Sequence, residues 1–229
     1  MSEKAVVLFS GGVDSTTCLA MAIERYGKEN VVPLSIAYGQ KHDRELASAK
    51  NVLAYYGMEG KTLHLEAVFA NSDSTLLGHT GEEIPKGTYE EQQRASGKSV
   101  VSTYVPFRNG LFLSAAASMA LSLGASVLYY GAHADDGAGN AYPDCTVPFY
   151  TAMGTAISEG TGGELRLEAP FIKANKADIV KEGLRLGVPY ELTWSCYEGQ
   201  DEPCHVCGTC RDREEAFRLN GTVDPLLKV

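Results

Sequence analysis

The sequence predicts an α/β fold in which helices cover both faces of a parallel β-sheet. Short runs of apolar and β-branched residues alternate with helical patterns along the chain, which is the order typical of a parallel sheet. These runs lack the polar alternation of a half-exposed sheet, so both faces should be buried. The chain has 229 residues, 44% of them hydrophobic and 21% charged, and is long enough for one such core. We therefore expect one domain, residues 1–229.

Five strands are expected, each at a short apolar or β-branched run. They cover residues 5–9, 31–37, 61–65, 126–130 and 165–168. Helical patterns lie between or after these runs, over residues 16–26, 43–56, 111–123, 146–159 and 175–186. The last helix is expected to be capped by Asn175 and to end at Gly187.

Three segments interrupt this alternation. Residues 71–99 are mostly polar and long for a connection inside a compact domain, so they form either a lid over an active site or a disordered loop. Residues 132–145 follow the fourth strand and are rich in glycine and carboxylates. Residues 190–219 contain four of the six cysteines.

The chain is acidic, with 29 Asp and Glu against 20 Lys and Arg and a net charge of -9 at pH 7. Proteins bind nucleic acids largely through Lys and Arg contacts with phosphates, so this balance argues against a nucleic-acid partner. No apolar run approaches the roughly 18 residues of a membrane span, and the N-terminus lacks the features of an export signal. We therefore expect a cytoplasmic protein without membrane or nucleic-acid partners.

A glycine-rich loop, Ser10-Gly-Gly-Val-Asp-Ser15, follows the first predicted strand, and Thr16 comes next at the start of a helix. The two glycines permit a tight turn whose backbone N–H groups point at an anion, and the helix N-terminus adds partial positive charge. The loop does not end in the Lys-Ser/Thr pair of a Walker loop. Asp14 would repel a phosphate unless a cation bridges the two, so we expect Mg²⁺ beside it. The alternative is an ordinary capped turn.

Four cysteines fall within 15 positions near the C-terminus: Cys196, Cys204, Cys207 and Cys210. Zn²⁺ binds four thiolates tetrahedrally, and such a closed site leaves no position for water, so the predicted zinc is structural. The alternatives are an iron–sulfur cluster, which uses similar spacing, and free thiols that cluster by coincidence.

Further candidates follow the second predicted strand and begin the helix at 111–123. Tyr38 and His42 lie where a parallel sheet forms its ligand crevice, so they are candidates to stack on adenine and to approach a phosphate. Arg108 and Asn109 stand at the helix start, where the helix dipole disfavours a surface arginine. This favours a guanidinium that clamps a carboxylate or phosphate. An exposed histidine and a solvated helix start are the alternatives.

The exit of the fourth strand carries His133, Asp135 and Asp136, and Asp144 follows nearby. Carboxylates in this position either coordinate Mg²⁺ or accept hydrogen bonds from the N–H groups of a purine-like base, whereas the alternative is an ordinary Asp/Gly-rich turn. Lys173, before the last helix, is a candidate for an electrostatic role, with a solvated helix face as the alternative.

Together these motifs resemble the 7-cyano-7-deazaguanine synthases, the QueC/ExsB family of PP-loop ATP pyrophosphatases. The glycine-rich loop matches the PP-loop signature Ser-Gly-Gly-X-Asp-Ser. The other matching motifs stand in the family's order at residues 38–42, 105–109, 142–145, 175–178, 194–199 and 204–210. The resemblance implies an adenine nucleotide α-hydrolase-like (Rossmann-like) sheet, a C-terminal structural zinc segment at residues 190–219, and a homodimer.

The resemblance also implies an activity: conversion of 7-carboxy-7-deazaguanine and ammonia into 7-cyano-7-deazaguanine in queuosine biosynthesis, by adenylation of the carboxylate and then of the amide. The residues expected to bind ATP are Phe9, Ser10, Gly11, Gly12, Val13, Asp14, Ser15, Thr16, Tyr38 and His42. Those expected to bind the substrate are Arg108, Asn109, His133, Asp135, Asp136 and Asp144. Electrostatic roles in catalysis are expected for Asp14, Arg108 and Lys173.

The sequence departs from the family pattern at three places. Val13 stands where Gln is frequent, Phe107 replaces a common Gly, and residues 133–141 differ from the family's acidic-Thr-Asp-X-Ser-Gly stretch. The altered strand exit leaves the identity of the substrate open. A tRNA-modifying PP-loop enzyme and a non-catalytic nucleotide-binding zinc module are the alternative functions.

Overall fold

The computed structural model describes residues 3–41, 44–198 and 201–228. Within these ranges, five parallel strands form a sheet in the order β3-β2-β1-β4-β5. They are β1 (Ala5–Leu8), β2 (Val31–Ala37), β3 (Lys61–His64), β4 (Val127–Tyr129) and β5 (Arg166–Glu168). The chain adds β2 and β3 to one side of β1 and β4 and β5 to the other. The direction of winding therefore reverses between β1 and β4, the point at which such sheets bind ligands.

Helices cover both faces of the sheet. They are α1 (Val13–Tyr26), α2 (Arg44–Tyr56), α3 (Tyr89–Ser96), α4 (Arg108–Ser122), α5 (Ala134–Gly137), α6 (Val147–Gly160), α7 (Lys176–Leu186) and α8 (Gly208–Leu219). Successive strand residues point to opposite faces, so Ala5 and Val7 join one core with α1, α2, α7 and α8, whereas Val6 joins the other with α4 and α6. In the part of the chain described, no helix combines the length and the apolar character needed to cross a bilayer.

The predicted fold class is confirmed, and each predicted strand and helix lies within a few residues of its observed position. The largest differences are at the starts of two helices: α1 begins at Val13 rather than at Thr16, and α4 begins at Arg108 rather than at residue 111. The N-cap of α1 is Gly12, so the glycine-rich loop passes directly into the helix and its last residues form the first helical turn.

The polar segment at residues 71–99 is folded. Three of its few large apolar residues, Leu76, Leu77 and Ile84, are buried in a third core cluster with Tyr38 and Val105. Its helix α3 begins with a capping box formed by Thr88 and Glu91. The segment therefore packs beside the carboxyl end of β2, and disorder, one of the two sequence-based alternatives, is not what the structure shows.

Helix α8, which the sequence patterns did not predict, attaches the cysteine-rich tail to the body of the protein. Its buried Arg213 donates hydrogen bonds to both carboxylate oxygens of Asp224, at 2.5 and 2.9 Å. The same guanidinium donates to the carbonyl oxygens of Thr193 and Tyr190. One buried cation thus joins α8, the segment before the cysteines and the C-terminal residues.

The Arg213 network generates a stability prediction. Arg213→Met leaves Asp224 buried without its ionic partner and removes a donor from the Thr193 and Tyr190 carbonyls, so the free energy of unfolding should fall by about 3–5 kcal/mol. Urea denaturation measures this loss. Arg218→Met removes an exposed arginine of the same helix and should leave the midpoint unchanged, and equal midpoints for the two variants would contradict the anchoring role.

Candidate active site

A cavity of about 240 Å³ opens at the carboxyl ends of β1, β2 and β4. Leu8 and Phe9 line it from the end of β1, and Ile36 lines it from the end of β2. The residues that leave β4, Tyr130 to His133, form the opposite wall. The cavity therefore occupies the point where the winding of the sheet reverses, as expected for a ligand site.

The glycine-rich loop forms one wall of this cavity and packs tightly against α2. Gly11 has a φ of +84°, and a Cβ at this position would lie 2.4 Å from the backbone nitrogen of Ala49. Only glycine satisfies both the backbone angle and the close approach. The Gly11 carbonyl accepts a hydrogen bond from the Trp194 N–H at 3.0 Å, so the loop is held between α2 and the tail.

Hydroxyl groups shape the open side of the loop. Ser15 Oγ accepts from the Ser10 N–H at 3.2 Å, and the hydroxyl oxygens of the two serines lie 3.2 Å apart. Gly12, the N-cap of α1, supplies no side-chain cap, so no side chain at that position competes with a ligand for the amide groups at the helix start. The loop thus presents hydroxyls and a helix N-terminus to the cavity, a combination that binds phosphate.

Asp14 and Lys176 form an ion pair beside the loop. The Lys176 ammonium donates to Asp14 Oδ2 at 2.6 Å, and their side chains are 11% and 24% exposed. Burial raises the pKa of the Asp14 carboxyl, but the charges of Lys176 and His133 outweigh it and leave the pKa below its usual value. Burial lowers the pKa of the Lys176 ammonium, and Asp14 and Asp136 raise it above its usual value. Both groups are therefore ionised at neutral pH.

The lysine that reaches the cavity is Lys176 and not the predicted Lys173. Lys176 is the first residue of α7 and lines the cavity, whereas Lys173 is exposed and does not line it. The Asn175 N-cap lies between them and turns the chain into the helix. The structure therefore does not place Lys173 at the site, and Lys176 is the lysine of this segment that lines the cavity.

The exit of β4 brings acidic groups to the same side of the cavity. Nε2 of the buried His133 lies 3.3 Å from Asp136 Oδ2 and 3.8 Å from Asp14 Oδ2. Asp135 does not line the cavity; its Oδ2 accepts the backbone N–H of Lys176 at 2.8 Å and so stabilises the start of α7. Asp212 of α8, which the sequence patterns missed, belongs to this acidic group. Its pKa is raised to about 6, because burial and the charge of Asp136 raise it by more than the charge of Lys176 lowers it.

Arg108 lines the cavity from the start of α4. Its guanidinium donates to the Tyr38 hydroxyl at 3.0 Å and lies over the Tyr38 ring, 5.2 Å from the centroid. Burial lowers the pKa of Arg108, but Tyr38, Tyr197 and Asp144 raise it above its usual value. Phe107, at the position where the family has a common Gly, adopts a φ of +52°, a left-handed conformation that favours glycine.

Asp144 was expected to bind the substrate, but in this structure it holds α4. The carboxylate is buried and does not line the cavity. Asp144 Oδ2 accepts the backbone N–H of Asn109 at 2.9 Å, in the manner of a helix cap supplied from a distant part of the chain. Burial raises the pKa of this carboxyl, while the hydrogen bond from Asn109 and the charge of Arg108 lower it. Asp144 therefore positions Arg108 and Asn109.

The structure brings ten of the predicted site residues together around the cavity: Phe9, Ser10, Gly12, Asp14, Ser15, Tyr38, Arg108, Asn109, His133 and Asp136. Gly11, Val13 and Thr16 do not line it, because they are buried within the loop and the first turn of α1. His42 lies outside the described residues. Sequence reasoning missed Lys176, Glu45 and Tyr197, which also line the cavity. Lys176 and Tyr197 lie inside matched motifs, at residues 175–178 and 194–199, whereas Glu45 lies three residues after the motif at 38–42.

The four predicted cysteines form one cluster at the edge of this site. The sulfur atoms of Cys196, Cys204, Cys207 and Cys210 all lie within 4.8 Å of one another, so the cluster can hold a metal ion. The Cys196 sulfur accepts the Cys204 N–H at 3.3 Å. Thr209, within the cluster, lines the cavity, and its hydroxyl donates to the Ser195 carbonyl at 2.7 Å. The cysteine cluster therefore also fixes one wall of the cavity.

Comparisons with known proteins agree with this geometry. The chain matches the family model described as "Queuosine biosynthesis protein QueC" over residues 4–221. It is 44% identical to the 7-cyano-7-deazaguanine synthase of Archaeoglobus fulgidus, over 98% of this chain and 90% of that protein. It is 43% identical to the 7-cyano-7-deazaguanine synthase of Oceanobacillus iheyensis, over 98% of this chain and 97% of that protein.

Two solved structures share the fold. The U34-tRNA thiolase NcsA from Methanococcus maripaludis, solved with its [4Fe-4S] cluster, superposes with a TM-score of 0.53 at 16% identity. The match covers 96% of this chain and 66% of the thiolase. NMN synthetase from Francisella tularensis superposes with a TM-score of 0.50 at 14% identity, over 96% of this chain and 78% of that chain. At these identities the likeness supports the fold alone.

Because Lys176, and not Lys173, pairs with Asp14, substitution of the two lysines should affect stability differently. Lys176→Met leaves the Asp14 carboxylate partly buried without a cation, so the free energy of unfolding should fall by about 2 kcal/mol at pH 7, less than for a fully buried pair. In the wild type the charge of Lys176 holds the pKa of Asp14 below its unfolded-state value, so the ionised carboxylate stabilises the fold above that value. In Lys176→Met the burial that raises the pKa of Asp14 acts without this charge, so the carboxyl takes up a proton as pH falls and the loss of stability should shrink towards pH 4.

Urea denaturation at the two pH values measures this effect, and Lys173→Met is the matched control. We expect the control to unfold at the wild-type midpoint at both pH values. A larger loss of stability in Lys173→Met than in Lys176→Met would contradict the assignment of the buried lysine.

Proposed function

We propose a function from the premise that this chain belongs to the QueC family of queuosine biosynthesis proteins. The chain converts 7-carboxy-7-deazaguanine, ammonia and ATP into 7-cyano-7-deazaguanine, as an ATP-dependent ligase that forms C–N bonds. Its relatives at 44% and 43% identity are 7-cyano-7-deazaguanine synthases. These relatives favour a catalyst over a non-catalytic nucleotide-binding module.

The observation that carries the proposal is a phosphate-binding loop that shares one cavity with a buried guanidinium. Ser10, Ser15 and the N-terminus of α1 form the anion-binding wall, and Arg108 enters the same cavity from α4. Pyrophosphate oxygens suit the loop, and a substrate carboxylate suits the planar fork of Arg108. In this arrangement the carboxylate lies beside the α-phosphate of ATP.

The reaction then needs no nucleophilic side chain. A carboxylate oxygen of the substrate attacks the α-phosphorus and pyrophosphate leaves, which forms an acyl-adenylate. Ammonia attacks the acyl carbon and AMP leaves, which forms the amide. The amide oxygen attacks the α-phosphorus of a second ATP and pyrophosphate leaves, and loss of AMP and of two protons from nitrogen then forms the nitrile. The residues of the chain align the reactants and stabilise the charge on the phosphates.

The acidic side of the cavity fits a Mg²⁺ ion. Asp14 Oδ1 is buried and has no hydrogen-bond partner, and Asp136 lines the same wall. Carboxylate oxygens are the protein ligands that Mg²⁺ prefers, so Asp14 and Asp136 would hold the ion. When bound, Mg²⁺ supplies positive charge that offsets the charge of the triphosphate. Lys176, already paired with Asp14, adds a second positive charge next to the loop.

The cysteine cluster fits one structural Zn²⁺ ion. A tetrahedron of sulfur ligands at about 2.3 Å from the metal separates the sulfurs by about 3.8 Å, which agrees with four sulfurs within 4.8 Å. A [4Fe–4S] cluster places a separate iron under each thiolate and would spread the sulfurs further apart. Zn²⁺ at this site would stabilise residues 190–219 within a single domain of residues 1–229.

The remaining properties follow from the same premise. The net charge of -9 argues against tRNA as the substrate, because tRNA binding depends on Lys and Arg contacts with phosphates. Ammonia is either free or delivered by a partner protein. We further propose a cytoplasmic homodimer, as the family resemblance implies.

A turnover assay tests the proposed function. The protein is incubated with ATP, ammonium and 7-carboxy-7-deazaguanine, and mass spectrometry follows the nitrile, the amide, AMP and ADP. We expect the nitrile and AMP, and neither without the carboxylated base. Absence of AMP formation with this substrate, together with micromolar binding of tRNA at 150 mM salt, would favour the tRNA-modifying alternative.

The zinc assignment predicts a linked loss of metal and stability. Cys207→Ser removes one thiolate, so the protein should lose its one equivalent of zinc, and the free energy of unfolding should fall by several kcal/mol. Elemental analysis and thermal denaturation measure the two effects. Cys18→Ser, a buried cysteine outside the cluster, should retain zinc. Full zinc content in Cys207→Ser, or iron and sulfide in the wild type, would contradict the assignment.

A further inference from the structure

Glu45 places a half-buried carboxylate inside the cavity. It lies in the first turn of α2 and lines the cavity together with Tyr38 and Arg108. It also lines a smaller adjoining groove, where Tyr197 and Trp194 are its neighbours. Glu45 therefore lies where the cavity meets the groove, among the residues that line the cavity with Arg108 and within the space open to a reactant.

This carboxylate has no structural partner among the residues described. Within residues 3–41, 44–198 and 201–228, it accepts no hydrogen bond and forms no ion pair within 4 Å, and Arg108 acts on it only through its charge. Two other carboxylates among the described residues line the cavity, and each faces a basic side chain: Asp14 Oδ2 is paired with Lys176, and Asp136 with His133. Of these three cavity-lining carboxylates, Glu45 is the one without a hydrogen bond or ion pair, so it remains available to a bound reactant.

A free carboxylate is unfavourable in a cavity that binds a triphosphate and an acid, because like charges repel. Burial also raises the pKa of Glu45, and Arg108 lowers it. A group retained at such a cost is a candidate for a chemical role. The proposed reaction requires one, since nitrogen must lose protons both when the amide forms and when the nitrile forms.

We propose that Glu45 is the general base that accepts these protons, an inference that rests on the proposed function. When ammonia attacks the acyl-adenylate, the C–N bond forms, one proton passes from nitrogen to Glu45, and the C–O bond to AMP breaks with its electron pair on AMP. After the amide oxygen is adenylated, nitrogen loses two further protons, the C≡N bond forms, and the second AMP leaves. Each proton passes from Glu45 to solvent before the next transfer.

The adjoining groove suits the entry of the nitrogen nucleophile. Lys41 and Arg44 line it, and the Arg44 guanidinium lies over the Trp194 ring, 4.9 Å from the centroid. These positive charges oppose the entry of ammonium and favour neutral ammonia. Neutral ammonia arrives without the extra proton, so Glu45 is free to act on the nitrogen during attack.

The test separates adenylation from nitrogen chemistry in the full-length protein. Isotope exchange between pyrophosphate and ATP, with 7-carboxy-7-deazaguanine and without ammonia, reports adenylation alone. Amide formation in a single turnover with ammonium reports the later step. Both are measured for the wild type, Glu45→Gln, Glu45→Asp and Glu59→Gln, the last being an exposed control.

We expect Glu45→Gln to keep the exchange rate within about twofold and to lose amide formation by about 10²–10⁴-fold, the usual contribution of a general base. Glu45→Asp keeps a carboxylate, so it should form the amide at least tenfold faster than Glu45→Gln. Glu59→Gln should match the wild type in both assays.

Equal losses of exchange and amide formation in Glu45→Gln would show a binding or structural role and overturn the inference. Unchanged amide formation in Glu45→Gln would overturn it as well. If the wild type shows no exchange that depends on the carboxylated base, the proposed function fails first and the inference fails with it. The exchange assay of the wild type therefore distinguishes the two failures.

Discussion

The ion pair between Asp14 and Lys176 is the interaction on which the site depends. It joins the loop after the first strand to the first residue of α7, and these two elements are more than 160 positions apart. Asp135, from the exit of β4, accepts the backbone N–H of the same Lys176. One lysine thus fixes three segments at the carboxyl edge of the sheet, where the winding reverses. Without this cation, the carboxylates at that edge of the sheet would repel one another and would also repel the phosphates of the ATP that we propose binds there.

The distribution of charge in the cavity explains how an acidic protein would bind the anionic reactants proposed for it. Lys176 lies beside the glycine-rich loop, and Arg108 lines the cavity from α4, so the two cations occupy separate walls. Each is held by a partner: Lys176 by Asp14, and Arg108 by the hydroxyl and ring of Tyr38. The overall charge of -9 disfavours binding to a polyanion more than binding to a small anion, because a small ligand meets only the local charges.

Much of the fold and part of the site were predictable because their signals are local. A Gly-Gly turn between strand and helix, and four cysteines in 15 positions, each specify geometry over a short stretch of chain. The partner of the Asp144 carboxylate could not be predicted from such local signals. Its carboxylate position suggested a substrate contact, but tertiary packing places it at the backbone of α4. Nothing within a few residues of Asp144 encodes that partner, which lies 35 positions away.

The same limit explains the lysine and the tail. Lys173 and Lys176 stand on either side of a helix cap, and only the packing of α7 against α1 decides which of them reaches Asp14. Arg213 looks like a surface residue of a polar helix, yet it is buried because Asp224 and two carbonyl oxygens surround it. A charge pattern within one helix cannot reveal partners contributed by other segments.

If one cavity holds the substrate carboxylate against the α-phosphate of ATP, a carboxylate oxygen must pass to the released AMP. This transfer is measured with 7-carboxy-7-deazaguanine that carries ¹⁸O in both carboxylate oxygens and mass spectrometry of the released AMP. We expect one ¹⁸O atom in the AMP formed with the amide, because the attacking oxygen stays with phosphorus. Unlabelled AMP, or ADP in its place, would contradict it.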